Sequence, residues 1–279
     1  MKLAVSNIAW PAAQDAAVAD LLAAHGVAGV EVAPTKAWPD PPTASDARID
    51  AYRRFWADRG IAVVAAQALL FGRPDLTIFD SAEMREATLD YLTSVVRVCA
   101  RLGAGALVFG SPKNRRVGDR PRAEAHAIAV EFFGRLAEIA RRAGTVVVME
   151  ANPSAYGADF ATRAADAVAL VRAVDHPGFR LHLDTGCMTL AADPIGATFD
   201  AGFAELRHFH VSEPNLDPPG ASGRVDHPAF AAELARRGYA GWVSLEMRTP
   251  NPFTLDGLAA SIRRVREWYA GPATLRAAG

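Results

Sequence analysis

Four apolar runs in the second half of the chain, residues 145–150, 179–184, 206–210 and 242–246, end in Glu150, Asp184, His210 and Glu246. Each of these side chains can bind a divalent cation. Two glutamates, an aspartate and one imidazole make a hard, oxygen-rich donor set, suited to Mn²⁺, Mg²⁺, Co²⁺ or Zn²⁺ rather than to a thiophilic metal. Three carboxylates around one dication leave the cluster net negative, which suits a neutral polyol better than an anion at the metal. Open coordination positions would take two adjacent substrate oxygens and polarise a carbonyl. Glu150 and Glu246, arriving on different segments, are then placed to move protons on the neighbouring carbon. Any one of the four could be a simple capping or ion-paired residue, but four in succession at similar spacing point to a metal-dependent enzyme.

The elements that must position them follow from the pattern. Short apolar runs read as buried strands, and in a parallel barrel all strand C-termini open on one face, where the four side chains would converge. Strands are predicted over residues 3–9, 29–32, 61–66, 106–109, 146–150, 180–184, 208–211 and 243–246. Helical patterns cover 15–25, 44–59, 82–102, 122–143, 162–174, 230–237 and 255–269; the segment 194–205 supplies the remaining helix, weakened by Gly196 and Gly202. Several helices stop at glycines such as Gly26, Gly60, Gly103, Gly144 and Gly238. Eight strand–helix units therefore fit residues 1–279 as one domain, an α/β fold of the (β/α)8 TIM-barrel type, and 279 residues match the roughly 250 such a barrel takes. An open doubly wound sheet allows the same alternation, but no GxGxxG fingerprint follows the first strand.

Composition narrows the function classes. Hydrophobic residues make up 51% of the chain, enough for a large core, and a net charge of −1 favours a small neutral ligand over nucleic acid or an acidic membrane. Two cysteines, Cys99 and Cys187, build no disulfide framework. Ser6, Asn7 and Pro11 interrupt the N-terminal apolar stretch before a signal-peptide core forms, and no run is long enough to cross a bilayer. The expectation is a cytoplasmic protein, with a symmetric homodimer as the default assembly.

Further candidates lie where loops follow strands on the same face. Gln67 is a candidate hydroxyl contact, and Lys113, nearest the strand end in the stretch 110–116, is a candidate substrate contact; Arg115 and Arg116 read as an exposed flexible loop. Glu213 and Arg248 lie just past the third and fourth runs; Glu213 is a candidate for a sugar hydroxyl, and Arg248 for orienting the Glu246 carboxylate or binding substrate. His227 is a weaker one, behind the N-cap candidate Asp226. Trp10, Phe71 and Tyr156 are candidate apolar walls, and Cys187 reads as a small packed residue. His208 shares the strand face of His210 one layer deeper and reads as a core group.

The segments VVMEANP, LHLDTG, HFHVSEPN and VSLEMR resemble, in that order, motifs of the xylose-isomerase-like barrel superfamily, which includes ketose 3-epimerases, hydroxypyruvate isomerases, inosose dehydratases and the endonuclease IV enzymes. The resemblance implies Glu150, Asp184, His210 and Glu246 as ligands of one divalent metal, Mn²⁺ foremost, with Glu150 and Glu246 as the acid–base pair. It implies a carbohydrate substrate and an isomerase or epimerase working through a metal-stabilised enediolate. The alternative is a metal-dependent lyase or dehydratase on a keto-sugar, keto-glycoside or keto-inositol. Three positions depart from the family pattern: Cys187 replaces a histidine, Leu216 an arginine and Tyr156 a glutamate. The departure at Cys187, seven histidines in all and a neutral charge balance argue against the nuclease reading.

Overall fold

Each of the eight apolar runs becomes a strand: β1 Lys2–Ser6, β2 Gly29–Val32, β3 Ala62–Ala66, β4 Leu107–Phe109, β5 Val147–Glu150, β6 Phe179–Asp184, β7 Leu206–Val211 and β8 Trp242–Leu245. In the computed structural model, which describes residues 1–269, all neighbours pair in parallel and in sequence order. The register of β1 on β8, from Lys2 opposite Trp242 to Val5 opposite Leu245, closes the barrel. The open-sheet alternative is thereby excluded.

The helices are α1 Asp15–Ala24, α2 Pro34–Ala37, α3 Asp46–Ala57, α4 Ala82–Leu102, α5 Arg122–Arg142, α6 Ala164–Val174, α7 Thr185–Leu190, α8 Ile195–Gly202, α9 His227–Arg236 and α10 Leu255–Tyr269. Helix α4 has the predicted bounds because both ends are chemically marked. Ser81 Oγ accepts from the Met84 N–H at 3.0 Å, and Gly103 takes a left-handed φ of 98° just past the last turn. Between those ends Leu89, Leu92, Val96 and Cys99 recur at helical spacing and are buried.

Where the bounds differ, side-chain chemistry explains it. Strand β1 stops at Ser6 rather than at 9, because Asn7 turns inward and its Oδ1 accepts from the Ala33 N–H at 2.8 Å. Helix α9 starts at His227 rather than at 230, capped by Asp226, whose Oδ1 accepts from Ala229 N–H at 3.0 Å. Helix α8 survives its glycines because Gly202 sits against β6; a Cβ there would lie 2.6 Å from Leu181 Cδ2. Helices α2 and α7 were not expected, and α7 follows the Asp184 end of β6 directly.

The main core lies between strands and helices, with Trp10, Trp56, Phe109, Phe133, Phe179 and Phe209 among its fully buried side chains. A smaller apolar cluster of Ala4, Val64, Ala65, Ala106, Val108 and Val148 is made largely of residues that alternate toward the barrel axis. The rest of the axis is polar: Glu31, His182, His208, His210 and Ser244 are at most 1% exposed. Register shifts at Val30/Glu31 in the β2–β3 ladder and at Leu181/His182 in the β6–β7 ladder fall beside two of these residues. Irregularities of this kind re-aim single side chains.

A candidate metal centre at the barrel mouth

The four strand-end residues meet. His210 Nδ1 lies 3.3 Å from Glu246 Oε2, 3.9 Å from Asp184 Oδ2 and 4.0 Å from Glu150 Oε1. Register accounts for part of this convergence, since Asp184 pairs with His210 across β6–β7. Glu246 lies one residue past β8, and its N–H donates to Val211 O at 3.0 Å, so the backbone still holds it to β7.

Three of the four ligand candidates, Asp184, His210 and Glu150, are held in place by hydrogen bonds. Asp184 Oδ1 caps α7 by accepting from Cys187 N–H at 2.6 Å and also accepts from Ser212 Oγ at 2.8 Å, while Oδ2 is buried without a partner among the described residues. His210 Nε2 lies 2.9 and 3.0 Å from the Glu31 carboxylate oxygens, leaving Nδ1 buried and unpartnered. Glu150 Oε2 accepts from Asn152 Nδ2 at 2.9 Å. Gly110 makes room for that carboxylate, because a Cβ there would overlap Glu150 Oε2.

The electrostatics call for a cation. Burial, reinforced by the Asp184 and Glu246 charges, pushes the Glu150 carboxyl up to about 8. Burial and Glu246 likewise raise Asp184. Burial alone would lower the His210 pKa, yet the Glu31 and Glu246 carboxylates hold it well above the usual imidazole value. Crowded carboxylates, an unpartnered Oδ2 and an unpartnered Nδ1 all aimed at one point are what a divalent ion would satisfy. The donor set Glu150, Asp184, His210 and Glu246 therefore fits a hard dication. Glu150, His182, Asp184 and His210 also offer donor atoms within 4.8 Å of one another, so His182 borders the same space.

Above the cluster opens a cavity of about 490 Å³ that Glu150, His210 and Glu246 floor. Gln67, Lys113 and Phe71 line it. Gln67 is anchored through Nε2 to Ser6 Oγ at 2.8 Å, and Phe71 stands 70% exposed at the rim.

The structure does not bring Glu213, His227 or Arg248 to this cavity. Glu213 is buried and accepts from Gly220 N–H at 2.7 Å, from Ser222 Oγ and from His227 Nε2 at 3.0 Å. His227 Nδ1 in turn meets Tyr269 OH at 3.0 Å and its ring stacks 4.3 Å from Trp268, so the pair ties the 213–222 loop to α9 and α10. Arg248 points outward to Asp217 Oδ1 at 2.6 Å. Trp10 is wholly buried and donates to Asp15 Oδ1 at 2.7 Å, and Tyr156 OH accepts from Asn215 N–H at 2.8 Å. Cys187 is buried, and burial with the nearby carboxylates pushes its thiol well up, so it stays protonated.

The reading of Arg115 as an exposed loop residue is overturned. It is fully buried, donating through one terminal nitrogen to Glu150 O at 2.9 Å and through the other to Asn152 Oδ1 at 2.8 Å. Burial lowers its pKa to about 10, with Glu150 opposing, so it remains a cation behind the carboxylate cluster. Glu31, His182 and Asn152 were also missed. A carboxylate inside the buried run 29–32, and a histidine two residues before Asp184 on one strand face, were the available signals.

Comparison with known proteins agrees with this architecture. A family model described as a xylose isomerase-like TIM barrel matches residues 19–270. A D-psicose 3-epimerase of Ruminiclostridium cellulolyticum is 35% identical over 83 residues, 30% of this chain and only 28% of that protein's length. A provisionally named hydroxypyruvate isomerase of Streptomyces coelicolor is 27% identical over 82% of this chain and 85% of its own. The solved D-psicose 3-epimerase with D-tagatose from Clostridium cellulolyticum H10 superimposes with a TM-score of 0.79, covering 96% of this chain and 99% of that one at 19% identity, a likeness of fold. Among the described residues no helix is long and apolar enough to cross a membrane.

Proposed function

Because the chain belongs to the xylose isomerase-like TIM barrel family, we propose that it is a divalent-metal-dependent isomerase or epimerase of keto-sugars. One observation carries this reading: the carboxylates of Glu150 and Glu246 reach the same nitrogen of His210 from β5 and from the end of β8, at the floor of one cavity. A dication bound by Glu150, Asp184, His210 and Glu246, Mn²⁺ foremost, supplies Lewis-acid polarisation of a substrate carbonyl.

The chain's own residues do the rest. One of Glu150 and Glu246 takes the proton from the carbon beside the carbonyl, and the other returns a proton to the opposite face or the adjacent carbon. Asn152 donates to Glu150 Oε2 at 2.9 Å and holds that carboxylate in place, while Arg115 anchors its backbone. Glu31 fixes the ring of His210 from below. Gln67 and Lys113 offer donors to substrate hydroxyls, and the rim side chain Phe71 covers an apolar sugar face. The experiment is hydrogen exchange: candidate ketoses incubated in heavy water with Mn²⁺ should gain deuterium at the carbon next to the carbonyl. No exchange over a broad ketose panel sinks the proposal.

One observation favours a second reading, a lyase or dehydratase that begins with the same proton abstraction and then expels a β-leaving group. Cys187 carries a protonated thiol, and Leu216 O accepts from Arg248 N–H at 2.8 Å. Neither residue offers the polar side-chain contact that the family resemblance implies for a free ketose at these positions. An ultraviolet-absorbing enone product would select this reading over isomerisation.

A further inference from the structure

Directly beneath the mouth cluster the barrel axis holds three histidines whose nitrogens all come within 4.8 Å of one another: His182, His208 and His210. His182 and His208 face each other in register across β6–β7, with ring centroids 5.4 Å apart. Both are 1% exposed. His182 Nδ1 and Nε2 and His208 Nε2 are buried without a hydrogen-bond partner among the described residues. Glu31 completes the group, its Oε1 lying 3.3 Å from His208 Nε2. His210 stands between the two layers, with Nε2 on Glu31 and Nδ1 toward the mouth.

We propose that His182, His208, His210 and Glu31 form a second cation site inside the barrel, directly beneath the one at the mouth and sharing His210 with it. Three imidazoles and a carboxylate are a borderline donor set of the kind Zn²⁺ takes, with nitrogen replacing most of the hard oxygens of the upper cluster. Buried imidazole lone pairs without donors gain more from a cation than from an apolar surround. One negative ligand at the lower site, against three at the upper, leaves the lower complex net positive and the upper net negative, so the two attract across His210. The ladder irregularities beside Glu31 and His182 fall at two of the four ligands.

An access route independent of the mouth exists. A cavity of about 400 Å³ opens at the N-terminal end of the barrel, lined by Ala62, Val64, Gly105, Ala106 and Trp242, with Lys2, Arg207 and the buried His208 also bordering it. Small side chains on the strands opposite β7 leave this passage unfilled.

The test is metal stoichiometry, and it does not depend on turnover. Purified full-length protein stripped with chelator, equilibrated with Zn²⁺ and desalted should hold two equivalents, with two anomalous peaks at the zinc edge in crystals. His182→Leu should retain one, at the mouth. Asp184→Asn/Glu246→Gln should also retain one, in the interior. Should His182→Leu fail to fold by circular dichroism, His208→Asn carries the same expectation. A single equivalent in the native protein that disappears in the Asp184→Asn/Glu246→Gln variant overturns the interior site and leaves the mouth site standing. Two equivalents persisting in His182→Leu or His208→Asn overturn it as well. One equivalent that survives Asp184→Asn/Glu246→Gln and is lost in His182→Leu upholds it and removes the mouth site instead.

Discussion

Glu150→Gln and Glu246→Gln each keep the side chain's size while removing its capacity to take a proton. Positioned acid–base groups contribute about 10²- to 10⁴-fold, so each variant should lose turnover by that order with its circular dichroism unchanged. A loss confined to KM would make the glutamates mere binding groups. Arg115 acts at the same scale but on stability. Its guanidinium satisfies Glu150 O and Asn152 Oδ1 in a fully buried setting. Arg115→Leu would strand both acceptors, at a cost of about 1–3 kcal/mol for each unsatisfied group, and should lower the urea midpoint accordingly. A midpoint within error of the native protein would show that these contacts do not matter. Neither residue's environment could be read from its neighbours in the chain. Arg115 and Arg116 are adjacent and chemically identical, yet one is buried and the other exposed, because only Arg115 faces the end of β5.

Among the elements, α7 ties local structure to the site. Asp184 closes β6 and caps α7, spending Oδ1 on the backbone and freeing Oδ2 for the cavity. Asparagine can keep the cap without the charge, whereas alanine loses both. Asp184→Ala should therefore be less stable than Asp184→Asn by about 1 kcal/mol, the usual worth of an N-cap, while both lose metal affinity. Equal stabilities would remove the cap from the account. Gly110 plays the matching part after β4. The methyl of Gly110→Ala would displace Glu150 Oε2, and affinity for Mn²⁺ measured calorimetrically should fall about 10- to 100-fold, as when a metal ligand's supporting contact is lost. Unchanged affinity would show that the carboxylate finds another rotamer.

For the whole molecule, the barrel gathers the carboxyl groups of Glu150, Asp184 and Glu246 at one end, with His210 among them and Arg115 behind. Glu150 has a folded-state pKa raised to about 8 from 4.5. The folded metal-free protein thus holds this proton more tightly than the unfolded chain. Its stabilising contribution is complete below about pH 4.5 and is lost as pH rises through about 8. Asp184 is raised too and has the same sign. Glu31 is the opposite case: burial would raise it, but His210 and His208 hold it well below 4.5, so its contribution is lost only on strong acidification. Burial holds His182 and His227 below 6.5, which has the opposite sign up to that pH, so metal-free protein should show a thermal midpoint that falls between about pH 6.5 and pH 8. Mn²⁺ at a hundred times its Kd should offset the fall by about 2.7 kcal/mol. A midpoint that rises with pH over that interval would contradict the charge assignment.

The sequence by itself determined the alternation of strands and helices and the four residues at the mouth, and it favoured a closed barrel over an open sheet. These depend on local rules: apolar runs make buried strands, parallel strands share one C-terminal face, and a residue at the strand end must lie there. Period two even placed His208 one layer below His210. The interior network of Glu31, His182 and Ser244, the burial of Arg115 and the removal of Glu213, His227 and Arg248 from the cavity were decided only by tertiary structure. Closure, register shifts and loop packing set which side chains from distant strands face one another. Glu31 and His210 are 179 residues apart in the chain and 2.9 Å apart in the barrel, and no pattern within either strand encodes that meeting.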